Sequence, residues 1–261
     1  MFAANIPFII SKRKLNKHTT LVAARLHAGL FILQRTISNR MLNNSGLVAW
    51  HSFDGGSHND SSGNRLNAFQ VVNVSSIAGR INEASSFYSN SSLYEIAGFV
   101  QLGQPNSSYS VTLWVQPSTL SEAPLVHLSQ TSTGQGWCID MLGFLSNGQL
   151  ACRSWAGSPM IINGSVLPIN TWSHVATTYS ATIGLQLYIN GILINGTPAF
   201  SFSASGVSMY LTLANSVLGV QGGSCNTYMI AHTGTFKGLI DEFRVYARRL
   251  SADDIYALAN P

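Results

Sequence analysis

Charge is scarce in this chain: Asp, Glu, Lys and Arg together make up 9% of 261 residues, and no acidic residue precedes Asp54. Lys12, Arg13, Lys14, Lys17, Arg25, Arg35 and Arg40 all come before it, whereas the remaining seven basic residues face ten acidic ones. The basic balance therefore belongs to the leader, and everything after it is mildly acidic. That argues against a nucleic-acid partner, which needs Lys or Arg clustered on a folded face; Arg248-Arg249 is the only adjacent pair there. Long apolar runs are missing too, none approaching the roughly eighteen residues that read as a membrane span. Gly-x-Ser-x-Gly and His-x-x-x-His are absent, which removes the usual serine-hydrolase elbow and the helical zinc pair. Cysteine is limited to Cys138, Cys152 and Cys225. Cys138 and Cys152 flank a hairpin turning at Asn147-Gly148, so a cross-strand disulfide and three separate buried thiols both stand as readings.

What is present is a hydrophobic content of 46% set among abundant Gly, Ser, Thr and Asn. That balance disfavours disorder and suits many short strands joined by polar turns. Alternating runs over 47–53, 109–116, 124–128, 136–141, 149–155, 172–179, 186–189, 191–194, 211–217 and 239–246 predict strands. Asn190-Gly191 is a two-residue hairpin signal, because Asn-Gly supplies positive φ at both central positions, and Asn147-Gly148 is a second. No long helical pattern interrupts these runs. The expected fold is all-β, an antiparallel two-sheet β-sandwich with a short C-terminal helix. Ser251 caps that helix and Asp254, three positions on, completes a capping box, with Ile255 and Leu258 facing inward.

The closing strand poses the sharpest question. Strict alternation puts Leu239, Asp241, Phe243 and Val245 on one face and Ile240, Glu242, Arg244 and Tyr246 on the other. A carboxylate in line with large apolar residues is costly unless something compensates it.

Four segments carry a resemblance. They are Gly46-Leu-Val-Ala-Trp-His-Ser-Phe-Asp-Gly with Asn59-Asp-Ser-Ser-Gly-Asn64; Tyr109-Ser-Val-Thr-Leu-Trp-Val-Gln-Pro117; 167–179 with 185–191; and Gly238-Leu-Ile-Asp-Glu-Phe-Arg-Val-Tyr running into Ser251-Ala-Asp-Asp-Ile-Tyr-Ala-Leu. In this order they resemble the laminin-G-like jellyroll domains of the concanavalin A-like lectin/glucanase superfamily. The resemblance covers 46–261 and implies one jellyroll domain, with 1–45 a basic leader or linker.

The resemblance also frames the chemistry. Glucanase members place carboxylates at alternate strand positions, as Glu-x-Asp-x-x-Glu, so that acid and nucleophile share a face. Cys138-Ile-Asp-Met-Leu142 keeps one Asp and neither Glu, so no catalytic residue is assigned and the domain is expected not to be an enzyme. Many relatives hold a structural calcium where opening and closing strands meet. Asp54, Asp60, Asn64 and Asp241 match those positions and are the candidate Ca2+ ligands, since calcium takes several carboxylate and carbonyl oxygens. The alternative is that Asp54 and Asp60 make Asx-turns and Asp241 accepts loop N–H bonds. Trp114 and Trp172 lie in strand motifs and read as core. Trp155, Asn226 and Tyr228 are the candidate ligand-binding residues, because sugar sites pair an aromatic platform with amide hydrogen bonds. His51 departs from the family, where an aromatic is common.

The functional expectation is a binding module for a glycan or glycoprotein, with a protein-binding adhesion or scaffolding domain as the alternative and a degenerate glycoside hydrolase relative third. Residues 1–10 are apolar but precede their basic cluster, the reverse of a secretory signal. Residues 19–37 fit a basic amphipathic helix, and the acid-free leader also resembles a mitochondrial transit peptide. Asn-x-Ser/Thr sequons at Asn43, Asn59, Asn73, Asn90, Asn106, Asn163 and Asn195 point instead to an extracellular or secretory location.

Overall fold

A computed structural model describes residues 44–217, 230 and 234–261; the leader, apart from its last two residues, and Asn226 and Tyr228 lie outside the described residues. Fifteen strands and one helix account for most of what is described: β1 (Leu47–His51), β2 (Ala68–Val72), β3 (Ser75–Ala78), β4 (Glu83–Phe87), β5 (Leu93–Phe99), β6 (Tyr109–Pro117), β7 (Ala123–Ser129), β8 (Cys138–Phe144), β9 (Gln149–Trp155), β10 (Pro159–Val166), β11 (Ser173–Ser180), β12 (Gly184–Ile189), β13 (Ile192–Gly196), β14 (Met209–Leu213), β15 (Gly238–Tyr246) and α1 (Ala252–Ala259).

The strands form two antiparallel sheets. Sheet A runs β13-β12-β11-β6-β15-β4-β3, with β1 also paired to β15; sheet B runs β10-β9-β8-β7-β14-β5-β2. Their inner faces meet in one apolar core that takes Ile96 and Tyr94 from β5, Val111, Leu113 and Val115 from β6, Leu128 from β7, Ile139 from β8, Leu211 and Leu213 from β14, and Ile240, Phe243 and Val245 from β15. Burying a side chain of this size contributes roughly 1.5–3 kcal/mol, so the packed inner faces are the main source of stability. The expected sandwich is what the residues build.

The closing strand corrects the strict alternation. Asp241 pairs with Trp114 and Arg244 with Thr112, so β15 spends three residues where β6 spends two. The extra residue makes a β-bulge, and Glu242 adopts a left-handed φ of 52° there. A bulge reverses the in–out phase beyond it. Ile240, Phe243 and Val245 consequently all enter the core, while Asp241 does not share their face.

Turn chemistry follows the sequence at one site and departs from it at the other. Asn190 and Gly191 both have positive φ, at 51° and 81°, as the tight hairpin between β12 and β13 requires. At Asn147-Gly148 only Gly148 (φ 77°) is left-handed, and its N–H donates to Leu145 O at 2.8 Å. This is the longer turn in which one αL residue follows a type I bend. Helix α1 carries the predicted capping box: Ser251 Oγ accepts from Asp254 N at 3.1 Å and Asp254 Oδ2 accepts from Ser251 N at 3.0 Å. It buries Ile255 and Leu258 against Tyr246, Ala176 and Tyr188 on the outside of sheet A.

Candidate functional site

The four residues expected to hold calcium sit near the β1–β15 junction but are engaged separately. Asp60 accepts at Oδ1 from the N–H groups of Trp50 and Ser62, both at 2.9 Å, and at Oδ2 from Ser62 Oγ at 2.8 Å and Leu66 N at 3.1 Å. These donors outweigh partial burial and hold its carboxyl below the usual aspartate range. Asn64 faces the opening strand with its amide nitrogen, which donates to Leu47 O and Val48 O at 2.8 and 3.0 Å. Asp54 Oδ1 accepts from Asn82 Nδ2 at 3.1 Å.

Asp241 is compensated by backbone. Its Oδ2 accepts from Arg80 N and Ile81 N at 2.8 and 2.9 Å, and its Oδ1 from Glu242 N at 2.8 Å. Burial, with the Glu242 carboxylate adding to it, still pushes Asp241 up to about 7 against the pull of those three donors. Gly79 lets the 79–82 turn approach this closely, since a Cβ there would stand 2.7 Å from Asp241 Oδ2. Among the described residues no three His, Cys, Asp or Glu side chains gather to hold a metal ion. Asp54, Asp60, Asn64 and Asp241 are thus each held by their own hydrogen bonds, with Asp60 and Asp241 serving as turn and strand acceptors.

The aromatic expectations also shift. Trp155 is half-buried against the main core, as is Trp137. Trp114 is buried, but on the outer face of sheet A, where Arg80 lies 4.7 Å over its ring and His174 packs edge-on at 5.4 Å. Trp172 is partly exposed rather than core. His51 is an aromatic member of the interior, contacting Phe53, Tyr94 and Phe243. Its Nε2–H donates to Leu66 O at 3.0 Å, which leaves Nδ1 to accept from Tyr94 O–H at 2.8 Å. Burial lowers His51 to about 4, so it stays neutral. Cys152 is a free, buried thiol and Cys138 is disulfide-bonded, so the two are not joined to each other.

The arrangement that sequence reasoning missed lies on the outer face of sheet B. Register pairs Gln70 with Glu95, Glu95 with Thr212, Thr212 with His127 and His127 with Asp140. This is one polar row crossing five strands, perpendicular to their direction. Their sequence neighbours Tyr94, Ile96, Leu211, Leu213, Leu128 and Ile139 point the other way, into the core. His127 Nδ1 donates to Asp140 Oδ1 at 2.7 Å, and Asp140 Oδ2 accepts from Ile230 N at 2.6 Å. His127 is thus held in one orientation, with Nε2 unpartnered.

Glu95, Thr212 and His127 are fully buried, yet both Glu95 oxygens, Thr212 Oγ1 and His127 Nε2 have no hydrogen-bond partner. Hydroxyls such as Thr112 and Thr178 are unpartnered on sheet A as well, so the distinctive member of the row is the carboxyl. Glu95 is the only acidic residue among the described ones with both oxygens in that state. Each such group costs roughly 1–3 kcal/mol. Burial raises Glu95 from 4.5 to about 7, which brings a protonated carboxyl, able to donate as well as accept, into the neutral range. Beside the row, Tyr210 shares the face of Thr212 two residues on, and the half-exposed ring of Phe69 meets it edge-to-face at 5.7 Å. The site thus has donors, acceptors and an aromatic wall. The signal was present in Leu93-Tyr-Glu-Ile-Ala-Gly-Phe99, where Tyr94 and Ile96 alternate with Glu95 and Ala97.

The family description "Concanavalin A-like lectin/glucanases superfamily" (Laminin_G_3) matches residues 89–256. The chain belongs to this superfamily. Among solved structures, this laminin-G-like chain is similar to domain 4 of AbnA, a GH43 extracellular arabinanase from Geobacillus stearothermophilus in complex with arabinotriose (23% identity, TM-score 0.60, covering 82% of this chain and 98% of that one). It is also similar to a structure of botulinum neurotoxin type C, whose cell entry is described as dependent on two ganglioside molecules (18%, TM-score 0.56, 83% and 51%). A third is the binding domain of botulinum neurotoxin DC in complex with rat synaptotagmin II (18%, TM-score 0.56, 83% and 52%). The chain spans about half the length of those toxin chains. At these identities the likeness is one of fold. A comparison with curated protein sequences returns no match.

Proposed function

We propose that this laminin-G-like domain is a non-catalytic carbohydrate-binding module that receives a saccharide on the outer face of sheet B. The observation that carries the reading is the unpartnered row of Glu95, Thr212 and His127 beside Tyr210 and Phe69. Sugar hydroxyls both donate and accept and the C–H face of a sugar ring stacks on aromatic rings, so Phe69 and Tyr210 offer the reachable platform, and the buried polar groups of Glu95, Thr212 and His127 are the partners a saccharide would have to uncover. The arabinotriose complex of one structural neighbour and the ganglioside dependence of another support a glycan as the ligand class.

Two-carboxylate hydrolysis is disfavoured by spacing. Glu95 and Asp140 lie three strands apart, roughly 14 Å between backbones at about 4.8 Å per strand. A glycosidase pair stands about 5–9.5 Å apart, and Asp140 is occupied by His127 and Ile230 N. We place the domain outside the cell, where the Cys138 disulfide persists. No helix among the described residues is long and apolar enough to cross a membrane.

The test is a glycan array probed with the full chain, including arabino-oligosaccharides and ganglioside glycans. Binding is expected for wild type and at least tenfold weaker for Thr212→Val and Tyr210→Ala. An array blank for wild type at high protein concentration contradicts the reading.

A further inference from the structure

One side of the sandwich is closed by two edge strands. β10 ends sheet B and β13 ends sheet A, and β10 packs against β12 and β13. The sheets come close here, since a Cβ on Gly164 would stand 2.8 Å from Leu187 Cδ2. Among the described strands neither has a partner on its outer side, and both carry large apolar side chains. Ile161 and Val166 on β10 and Ile192, Leu193 and Ile194 on β13 are 40–66% exposed. An apolar open edge of this kind is a template for pairing with another chain, and folded proteins blunt it with charge, proline or a cover. Neither strand carries a charged residue, and the only proline is Pro159 at the start of β10.

Each strand does carry a sequon: Asn163-Gly-Ser165 on β10 and Asn195-Gly-Thr197 at the end of β13. Both asparagines are exposed. Asn195 accepts at Oδ1 from Gly196 N at 2.9 Å while its Nδ2 has no partner among the described residues, and Asn163 makes no side-chain hydrogen bond among them. By contrast, the exposed Asn73 sequon spends its Nδ2 on Ser91 Oγ at 2.7 Å. We propose that Asn163 and Asn195 carry N-linked glycans that cover this open edge and keep the domain from pairing with other copies through β10 and β13. The donor class is a lipid-linked oligosaccharide pyrophosphate. Asn Nδ2 forms the bond to the anomeric carbon, the bond from that carbon to the pyrophosphate oxygen breaks, the lipid pyrophosphate leaves with the electron pair, and the amide gives up one proton. The hydrophilic branched product then occupies the space a pairing strand needs.

The experiment uses the protein purified from its own source. Enzymatic release of N-glycans in 18O-labelled water converts each occupied Asn to labelled Asp, read by peptide mass spectrometry. Label at positions 163 and 195 is expected, with conversion of monomer to larger species on size exclusion after glycan removal. Unlabelled peptides at both positions overturn the proposal, and so does a deglycosylated protein that stays monomeric. Asn163→Gln with Asn195→Gln keeps both amides and provides the same size comparison without enzymatic treatment; unaltered size in that variant also counts against it.

Discussion

Asp241 and Glu95 are two fully buried carboxylates on the outer faces of opposite sheets, and they are treated in opposite ways. Asp241 accepts three backbone N–H groups; Glu95 accepts none. The first is built into the fold, because the 79–82 turn closes on it and the β15 bulge frees it from the core face. The second is a group whose partners the fold does not supply. The contrast shows that burial alone does not mark a site; burial together with an unmet hydrogen-bonding demand does.

The largest expected effect is on Asp241. Asp241→Asn keeps one acceptor oxygen where two now serve, so at least one N–H among Arg80, Ile81 and Glu242 faces an amide NH2. The expected loss is about 1–3 kcal/mol of stability by urea denaturation. An unchanged midpoint would mean that these bonds are not what compensates the charge.

Glu95→Gln is expected to act in the other direction. Glu95 has its pKa raised in the folded state from 4.5 to about 7, so the folded chain binds its proton more tightly than the unfolded one. Its stabilising contribution is complete below about pH 4 and is lost as pH rises to about 7. Glu95→Gln should therefore be more stable than wild type at about pH 8, by a margin that opens between about pH 4.5 and pH 7, and equal to it at about pH 4. A variant that is less stable than wild type at pH 8 would show that the carboxylate has a partner after all. Asp241 is raised in the same sense, so wild type keeps part of the slope even in that variant.

The smallest effect concerns calcium. With Asp60 and Asp241 committed to N–H and O–H donors, the melting temperature is expected to stay within about 1 °C between saturating calcium and EDTA, less than the shift that 1 kcal/mol produces in a domain this size. A larger fall in EDTA would show that the β1–β15 junction does hold the ion.

Much of this was legible in the chain. The alternation of 109–116, 149–155 and 172–179, the Asn190-Gly191 hairpin and the Ser251–Asp254 capping box gave their elements to within a residue at each end. The strands that escaped were β2 to β5 and β10. β3 and β4 are serine-rich, and β10 contains Pro159 and Gly164, so neither apolar alternation nor β-propensity marks them. The bulge at Glu242 is invisible to a period-two count, and it alone decided which residues Asp241 stands among. The alternation of 93–99 marks Glu95, but the polar row as a whole is not written in any one segment. Gln70, Glu95, Thr212, His127 and Asp140 come from five strands, and only register brings them into line.

The most direct measurement of where a saccharide sits is amide chemical-shift mapping of the 15N-labelled chain against one that scores on the array. Perturbations are expected to concentrate on β5, β14 and β7 around Glu95, Thr212 and His127, with the 79–82 turn and Asp241 unmoved. Perturbations centred on Asp54, Asp60 and Asp241, with β5 and β14 silent, would contradict that placement.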